Sequence, residues 1–188
     1  MPFSLTPISG VLIFEPVVFP DDRGFFYESY NQRLFQENGI PNNFVQDNQS
    51  FSGHGVIRGL HYQRPPFAQS KLVRVLQGSI LDAVVDLRAG SPTFGKTFCI
   101  EISEENKKQI FIPKGFAHGF SVLSKTTVLS YKCDAFYNKQ SEAGIRYNDT
   151  CLKIDWQIPA EKALISAKDA VLPEFNPALT DFIYTADV

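Results

Sequence analysis

Apolar residues in this chain fall in short runs that alternate with polar ones, and clusters of Gly, Pro, Asn and Asp end each run. An alternation of period two predicts half-buried strands, because successive strand side chains point to opposite faces. Residues 11–19 (VLIFEPVVF) and 24–30 (GFFYESY) read as strands on either side of the turn Pro20-Asp21-Asp22-Arg23. Asn31 caps a short helix over 32–38, and Gly39 stops it. Residues 43–51 are strand-like. Four consecutive polar residues, Gln46, Asp47, Asn48 and Gln49, break the alternation there, as a strand end, a bulge lining something, or an exposed edge. The stretch 56–78, VIRGLHYQRPPFAQSKLVRVLQG, predicts two strands joined at Pro65-Pro66, with His61 and Gln63 on one face and Lys71, Val73 and Val75 on another. In the next strand, 79–88, Leu81, Ala83, Val85 and Leu87 form an apolar face. Residues 96–102 and 109–113 are further strands. Residues 118–123 and 126–133 are predicted to pair as a hairpin across Ser124-Lys125, with Thr127, Leu129, Tyr131 and Cys133 on one face. Beyond Asp134 the pattern loosens into loops, with short helical stretches near Asp169 and Pro177. Short strands at regular spacing predict an all-β sandwich or barrel.

Composition supports this. Seventeen Phe and seven Tyr stand against one Met and one Trp, and aromatic side chains favour pleated, half-buried surfaces. With 188 residues, 44% of them hydrophobic, the chain is long enough to bury a core, and a single domain over 1–188 is expected. A net charge of −2 without a basic block gives no reason to expect nucleic acid or a membrane surface as partner. Cys99, Cys133 and Cys151 are odd in number and lack metal-ligand spacing, which suits reduced thiols in a cytoplasmic protein. The opening MPFSLTPISG carries no basic segment followed by a long apolar run, and no stretch nears the roughly 20 apolar residues that span a bilayer.

Charged residues inside apolar strands are costly unless paired or used. Arg58, His61 and Lys71 sit in such strands, and a second histidine, His118, follows the Pro113-Lys114-Gly115 turn. Two strand–turn–His modules suggest a barrel with a polar interior. One reading is a metal held by His61, His118 and a carboxylate. The His-x-His, Glu, distant His pattern of metal-binding cupins is met only in part, since Gln63 takes the second His position and Gln69 stands where Glu would be sought. Neutral amides are poor ligands for a divalent ion. The other reading is proton transfer without a metal or other cofactor. His61 has the chemistry of a base at neutral pH, Tyr131 that of an acid, and Lys71 that of a cation facing an oxyanion. A carboxylate would orient the imidazole. A third reading is a barrel that binds its ligand without turning it over, for which a proton donor such as Tyr131 has no purpose.

Eight motifs in order carry a resemblance over nearly the whole chain. They are DDRGFFYESY (21–30), FVQDNQS (44–50), GVIRGLHYQRPP (55–66), KLVRVLQG (71–78), VVDLRAGSPTFG (84–95), IPKGFAHGFSVLS (112–124), SYKCD (130–134) and ISAKD (165–169). The chain resembles the dTDP-4-dehydrorhamnose 3,5-epimerases, the RmlC-like members of the cupin superfamily. The resemblance implies a cupin-type jelly-roll β-barrel or sandwich with a few short peripheral helices. It implies His61 as base, Asp169 as its orienting partner, Tyr131 as the acid on the opposite face and Lys71 as the enolate stabiliser. Substrate contacts would come from Arg23, Glu28, Gln46, Asp47, Asn48, Arg58, His118, Glu142 and Lys168, with Tyr137 stacking on the thymine. The implied substrate is a dTDP-4-keto-6-deoxy-sugar. The implied assembly is a homodimer whose N-terminal strands reach the partner's pocket with Arg23 and Glu28. Two departures, Phe67 and Ser70 where the family has His and Gly, lie in the loop before Lys71. They leave open a single-centre epimerase of a related sugar; the other alternative is a cupin that binds the nucleotide sugar without catalysis.

Overall fold

The computed structural model describes residues 2–185. Its strands are β1 (Phe3–Leu5), β2 (Leu12–Phe14), β3 (Val18–Asp21), β4 (Gly24–Tyr27), β5 (Gln46–Gly53), β6 (Ile57–Gln63), β7 (Lys71–Gln77) and β8 (Ser79–Asp86), then β9 (Arg88–Ala89), β10 (Thr97–Ser103), β11 (Gln109–Ile112), β12 (Phe116–Val122), β13 (Thr126–Cys133), β14 (Glu142–Gly144) and β15 (Phe182–Ile183). Two short α-helices, α1 (Gln32–Glu37) and α2 (Ala167–Ala170), are peripheral.

Six strands form one sheet in the order β1-β2-β11-β7-β13-β5, and five form a second in the order β10-β8-β12-β6-β14. Every step from β5 to β8, and again from β10 to β14, carries the chain from one sheet to the other. This is the jelly-roll arrangement. The hairpin expected across Ser124-Lys125 therefore does not form: β12 pairs with β8 and β6, whereas β13 pairs with β5 and β7. The reason is burial. Each strand carries an inward row, His118, Phe120 and Val122 on one and Thr127, Leu129, Tyr131 and Cys133 on the other. A hairpin would set both rows on the same wall, while a crossing sets them face to face.

Other expectations shift in detail. The strand predicted over 11–19 breaks after Phe14, because Pro16 has no N–H for a ladder. The polar run 46–49 is a strand end without a bulge, and Gln46 and Asn48 of it line a cleft. It opens a continuous eight-residue edge strand in register with β13 from Gly53↔Thr126 to Gln46↔Cys133. Near Pro177 the chain makes a turn, not a helix. Asn31 does cap α1, its side chain accepting from the Leu34 N–H.

Three apolar clusters follow from the strand pattern. Between the sheets lie Val73, Val75, Ile80, Val84, Ile110, Val122 and Leu129 with their neighbours. Alternate residues of the same strands, among them Ala83, Val85 and Ala117, pack outward under the C-terminal segment with Trp156 and Phe182. On the other sheet Phe14, Leu72 and Phe111 meet Phe35 of α1. Both sheets are thus covered on both faces, and the inter-sheet space is filled at one end and open at the other. Phe35 is 1% exposed, and its ring centroid lies 5.0 Å from those of Phe3, Phe14 and Tyr30. We expect Phe35→Ala to cost about 3–5 kcal/mol, the range for emptying an aromatic site. Urea unfolding measures it, and a loss below about 1 kcal/mol would mean that α1 is not anchored by this ring.

Candidate active site

The open end is built around two histidines facing each other across a strand pair. His61 on β6 lies opposite His118 on β12, and just beyond them the register shifts. There the strands close on each other at two glycines. A Cβ on Gly59 would meet the Gly119 Cα at 2.5 Å, and one on Gly119 would meet the Arg58 carbonyl oxygen at 2.8 Å. Gly59 also has φ +123°, which L side chains avoid. The RGLH and AHGF segments therefore need their glycines to bring both imidazoles to the cavity wall.

Each imidazole is held by a buried carboxylate. Ser166 caps α2 by accepting from the Asp169 N–H at 3.0 Å, and the Asp169 side chain turns inward, 3% exposed. Its Oδ1 accepts from His61 Nε2 at 2.7 Å and its Oδ2 from the Gly59 N–H at 3.3 Å. Since a carboxylate oxygen accepts, Nε2 carries the hydrogen and Nδ1 keeps its lone pair. His118 Nε2 donates to Asp82 Oδ2 at 2.8 Å. Asp82 is fully buried, and its Oδ1 has no partner among the described residues. Sequence reasoning missed this residue, although it breaks the apolar inward row of Ile80 and Val84 on β8.

The facing wall comes from β5, β7 and β13. In register, Cys133 sits between Gln46 and Lys71, and Tyr131 sits between Asn48 and Val73. His61, Lys71 and Tyr131 line both lobes of one cleft. The larger lobe, about 490 Å³, adds Arg58, His118, Phe120, Leu164, Lys168 and Asp169. The smaller, about 330 Å³, adds Gln46, Asn48, Gln63, Gln69, Tyr137 and Glu142. Burial pushes His61 below its ordinary 6.5 by more than the hydrogen bond and charge of Asp169 push it up, and the charges of Lys71 and Lys168 act with burial. Burial likewise holds Lys71 below its ordinary 10.5, against the upward pull of Cys133, Asp82 and Glu142. The Tyr131 phenol is raised above 10.0, mainly by burial. At neutral pH the cleft thus holds a neutral imidazole and a protonated phenol, with the Lys71 amine beside them.

At the mouth, Tyr137 Oη donates to Glu142 Oε2 at 2.8 Å, and Lys168 Nζ pairs with Glu142 Oε1 at 2.5 Å. Arg58 donates to Ser52 Oγ at 3.1 Å on the rim of the larger lobe. Three of the expected contact residues stay outside the cleft. Asp47 points to the other face of the edge strand, where it accepts from Lys132 at 2.9 Å, because its neighbours Gln46 and Asn48 take the inward positions. Arg23 and Glu28 belong to the β3–β4 hairpin, which pairs with no other strand among the described residues. Arg23 is bound to Asp21 at 2.5 Å and Glu28 to Asn31. Among the described residues no three His, Cys, Asp or Glu side chains converge as metal ligands do. Gln63 and Gln69 spend their amides on backbone carbonyls.

The family model described as dTDP-4-dehydrorhamnose 3,5-epimerase matches residues 5–177. The chain belongs to the dTDP-4-dehydrorhamnose 3,5-epimerase family. A Shigella flexneri family member is 53% identical over 165 residues, 87% of this chain and 90% of that protein. The crystal structure of the Elizabethkingia anophelis epimerase superposes with a TM-score of 0.89 at 52% identity, covering 92% of this chain and 95% of the other. The Legionella pneumophila epimerase, solved in complex with dTDP-4-keto-L-rhamnose, superposes with a TM-score of 0.92 at 46% identity over 98% of both chains.

The electrostatics of the dyad can be measured directly. By NMR titration we expect the His61 imidazole to titrate below 6.5, and to fall further in Asp169→Asn, because the carboxylate is what raises it. A rise on that substitution would mean that another acid dominates the His61 environment.

Proposed function

We propose that this chain epimerises dTDP-4-dehydro-6-deoxy-D-glucose at carbons 3 and 5, giving dTDP-4-dehydro-L-rhamnose, the reaction for which its family is named. The observation that carries the reading is a neutral imidazole on one sheet and a protonated phenol on the other, lining one cavity together with Lys71. In a 4-keto sugar the hydrogens on carbons 3 and 5 are acidified by the carbonyl between them. In our reading His61 Nδ1 takes one of them, and the electron pair left behind forms an enolate with its charge on the ketone oxygen. Lys71 stabilises that charge. Tyr131 then donates a proton from the opposite side, which inverts the carbon. The imidazolium and the tyrosinate exchange with solvent before the second centre reacts. The proton count closes without an electron acceptor, so the chemistry asks for no redox cofactor. General-base catalysis of this kind contributes about 10²–10⁴-fold.

Arg58 and Lys168 offer donors for the sugar and diphosphate, His118 lines the same lobe, and Gln46, Asn48, Tyr137 and Glu142 border the nucleotide end. We read residues 1–188 as one domain and the protein as cytoplasmic, where its nucleotide-sugar substrate would be made; no helix of the described residues is long and apolar enough to cross a membrane. The β3–β4 hairpin supports a homodimer. It exposes Val17, Phe19, Phe25 and Phe26 at 58–69% each, an apolar patch suited to burial against a second copy. In such a dimer Arg23 and Glu28 would complete the partner's cleft.

Turnover in deuterated water should place label at both carbons 3 and 5. Label at carbon 3 alone would replace this reading with a single-centre epimerase, and tight binding without exchange would replace it with a binding protein. Tyr131→Phe keeps His61 and Lys71, so it should wash deuterium into substrate while net inversion collapses. Loss of exchange together with inversion would show that Tyr131 is needed to form the enolate.

The dimer reading has its own test. His61→Ala and Arg23→Ala proteins, each of low activity, should regain turnover when unfolded, mixed and refolded together. The mixed dimer joins an intact His61 cleft to an intact Arg23 hairpin. No recovery, despite mixed dimers seen by mass spectrometry, would place Arg23 outside the partner's site.

A further inference from the structure

We propose that Gln63 is a positioning residue: its buried amide fixes the backbone of the 134–141 loop so that Tyr137 is presented, already ordered, to the nucleotide end of the substrate. The inference rests on the reading of Tyr137 as a nucleotide contact given above.

Gln63 closes β6, two residues after His61, and is 5% exposed. Its amide is fully used. Nε2 donates to the Phe67 carbonyl at 2.7 Å and to the Phe136 carbonyl at 3.3 Å, and Oε1 accepts from the Asn138 N–H at 2.6 Å. Only an amide offers two donors and one acceptor from one planar group at this reach. Glutamate would set a carboxylate against two carbonyls, methionine would fill the space without a bond, and asparagine is a methylene shorter.

The residues it holds lie between β13 and β14, where no strand supplies backbone partners. Gln69 Nε2 donates to the Ala135 carbonyl at 2.6 Å, and Gln46 Oε1 accepts from the Tyr137 N–H at 3.0 Å. Four consecutive residues, 135 to 138, are therefore each held by a glutamine from outside the loop. Gln63 is the most buried of the three and the only one to hold two of those residues. The result is a fixed backbone with exposed side chains, Phe136 at 68% and Tyr137 at 54%, the latter steadied only at its hydroxyl by Glu142. Ordering a contact segment before the ligand arrives removes that entropy from the cost of binding. The positions where a metal-binding cupin would hold ligands here hold a loop.

Gln63 also grips the 64–70 turn that leads into Lys71, through the Phe67 carbonyl, so two routes of action exist and the experiment must separate them. The single variants Gln63→Met, Gln63→Glu and Tyr137→Ala and the double variant Gln63→Met/Tyr137→Ala are compared with wild type for KM and kcat on the keto-sugar and for dTDP affinity by calorimetry. We expect Gln63→Met, which loses both bonds to the loop, to weaken dTDP and raise KM about tenfold, with kcat within about twofold. In the Tyr137→Ala background the same change should shift affinity by less than about twofold, because residues acting through one another do not add. Gln63→Glu, which keeps the Asn138 bond and loses both donors, repeats the test should Gln63→Met fail to fold, and thermal unfolding of each variant checks that it folds.

Additive losses in the double variant would overturn the proposal, as would a fall in kcat at unchanged KM, which would mean that Gln63 acts through the Lys71 turn. Unchanged affinity in both Gln63 variants would overturn it equally. Wild-type protein that neither binds dTDP nor turns over the keto-sugar would remove the functional reading itself, and this inference with it.

Discussion

A polar cavity inside a β-sandwich must hold its charged groups without losing the free energy that burial of its walls provides. Isolated charges in an apolar interior are expensive, and a group left alone neutralises itself instead. In this protein the central contact is the 2.7 Å hydrogen bond from His61 Nε2 to Asp169 Oδ1, made between residues 108 positions apart. Asp169 reaches His61 only because the C-terminal segment wraps the outer face of the five-stranded sheet, burying Trp156 before α2 turns in to the cleft and Phe182 after it. The same contact selects the tautomer of His61 and leaves Nδ1 free. Packing at the back of the sheet thus decides the chemistry at its front.

The second dyad repeats the device with a different consequence. His118 and Asp82 are both buried, and both come from neighbouring strands of one sheet, so strand pairing alone holds them together. The His61–Asp169 pair instead spans a strand and a peripheral helix, and His61 stays partly open to the cleft. A locked pair suits holding a ligand. A pair joined across two elements, with one nitrogen exposed, suits moving a proton.

The two walls divide the task because the chain keeps crossing between them. His61 and His118 hang from the five-stranded sheet, while Lys71, Tyr131 and Cys133 stand on the six-stranded one. Burial pushes the imidazole down and the phenol up from their ordinary values, which separates base from acid at neutral pH. No residue of the pair needs a special partner for this; the shared apolar surroundings move the two in opposite directions, because one is charged when protonated and the other when deprotonated.

Period-two alternation, read from residues alone, determined that this is a β protein. It also placed His61 with Gln63 and Tyr131 with Cys133, because the side-chain period of a strand is a local property. The motifs determined the family and with it most of the cleft residues. Strand partners were not legible: the 118–133 segment has the local pattern of a hairpin, and only the need to cover two facing apolar rows sends its halves to opposite sheets. Asp82 looked like one polar residue in an apolar strand until β12 set His118 beside it. Alternation sets Asp47 and Asn48 on opposite faces, and only the pairing of β5 with β13 decides that Asn48 joins Tyr131 at the cavity while Asp47 joins Lys132 on the other side. Gln63 and Gln69, unassigned in the sequence, gained a purpose once a loop 66 to 75 residues away needed backbone partners. What a residue touches across such distances depends on which elements pack together, and packing is settled by the burial of the whole chain, which no window of the sequence contains.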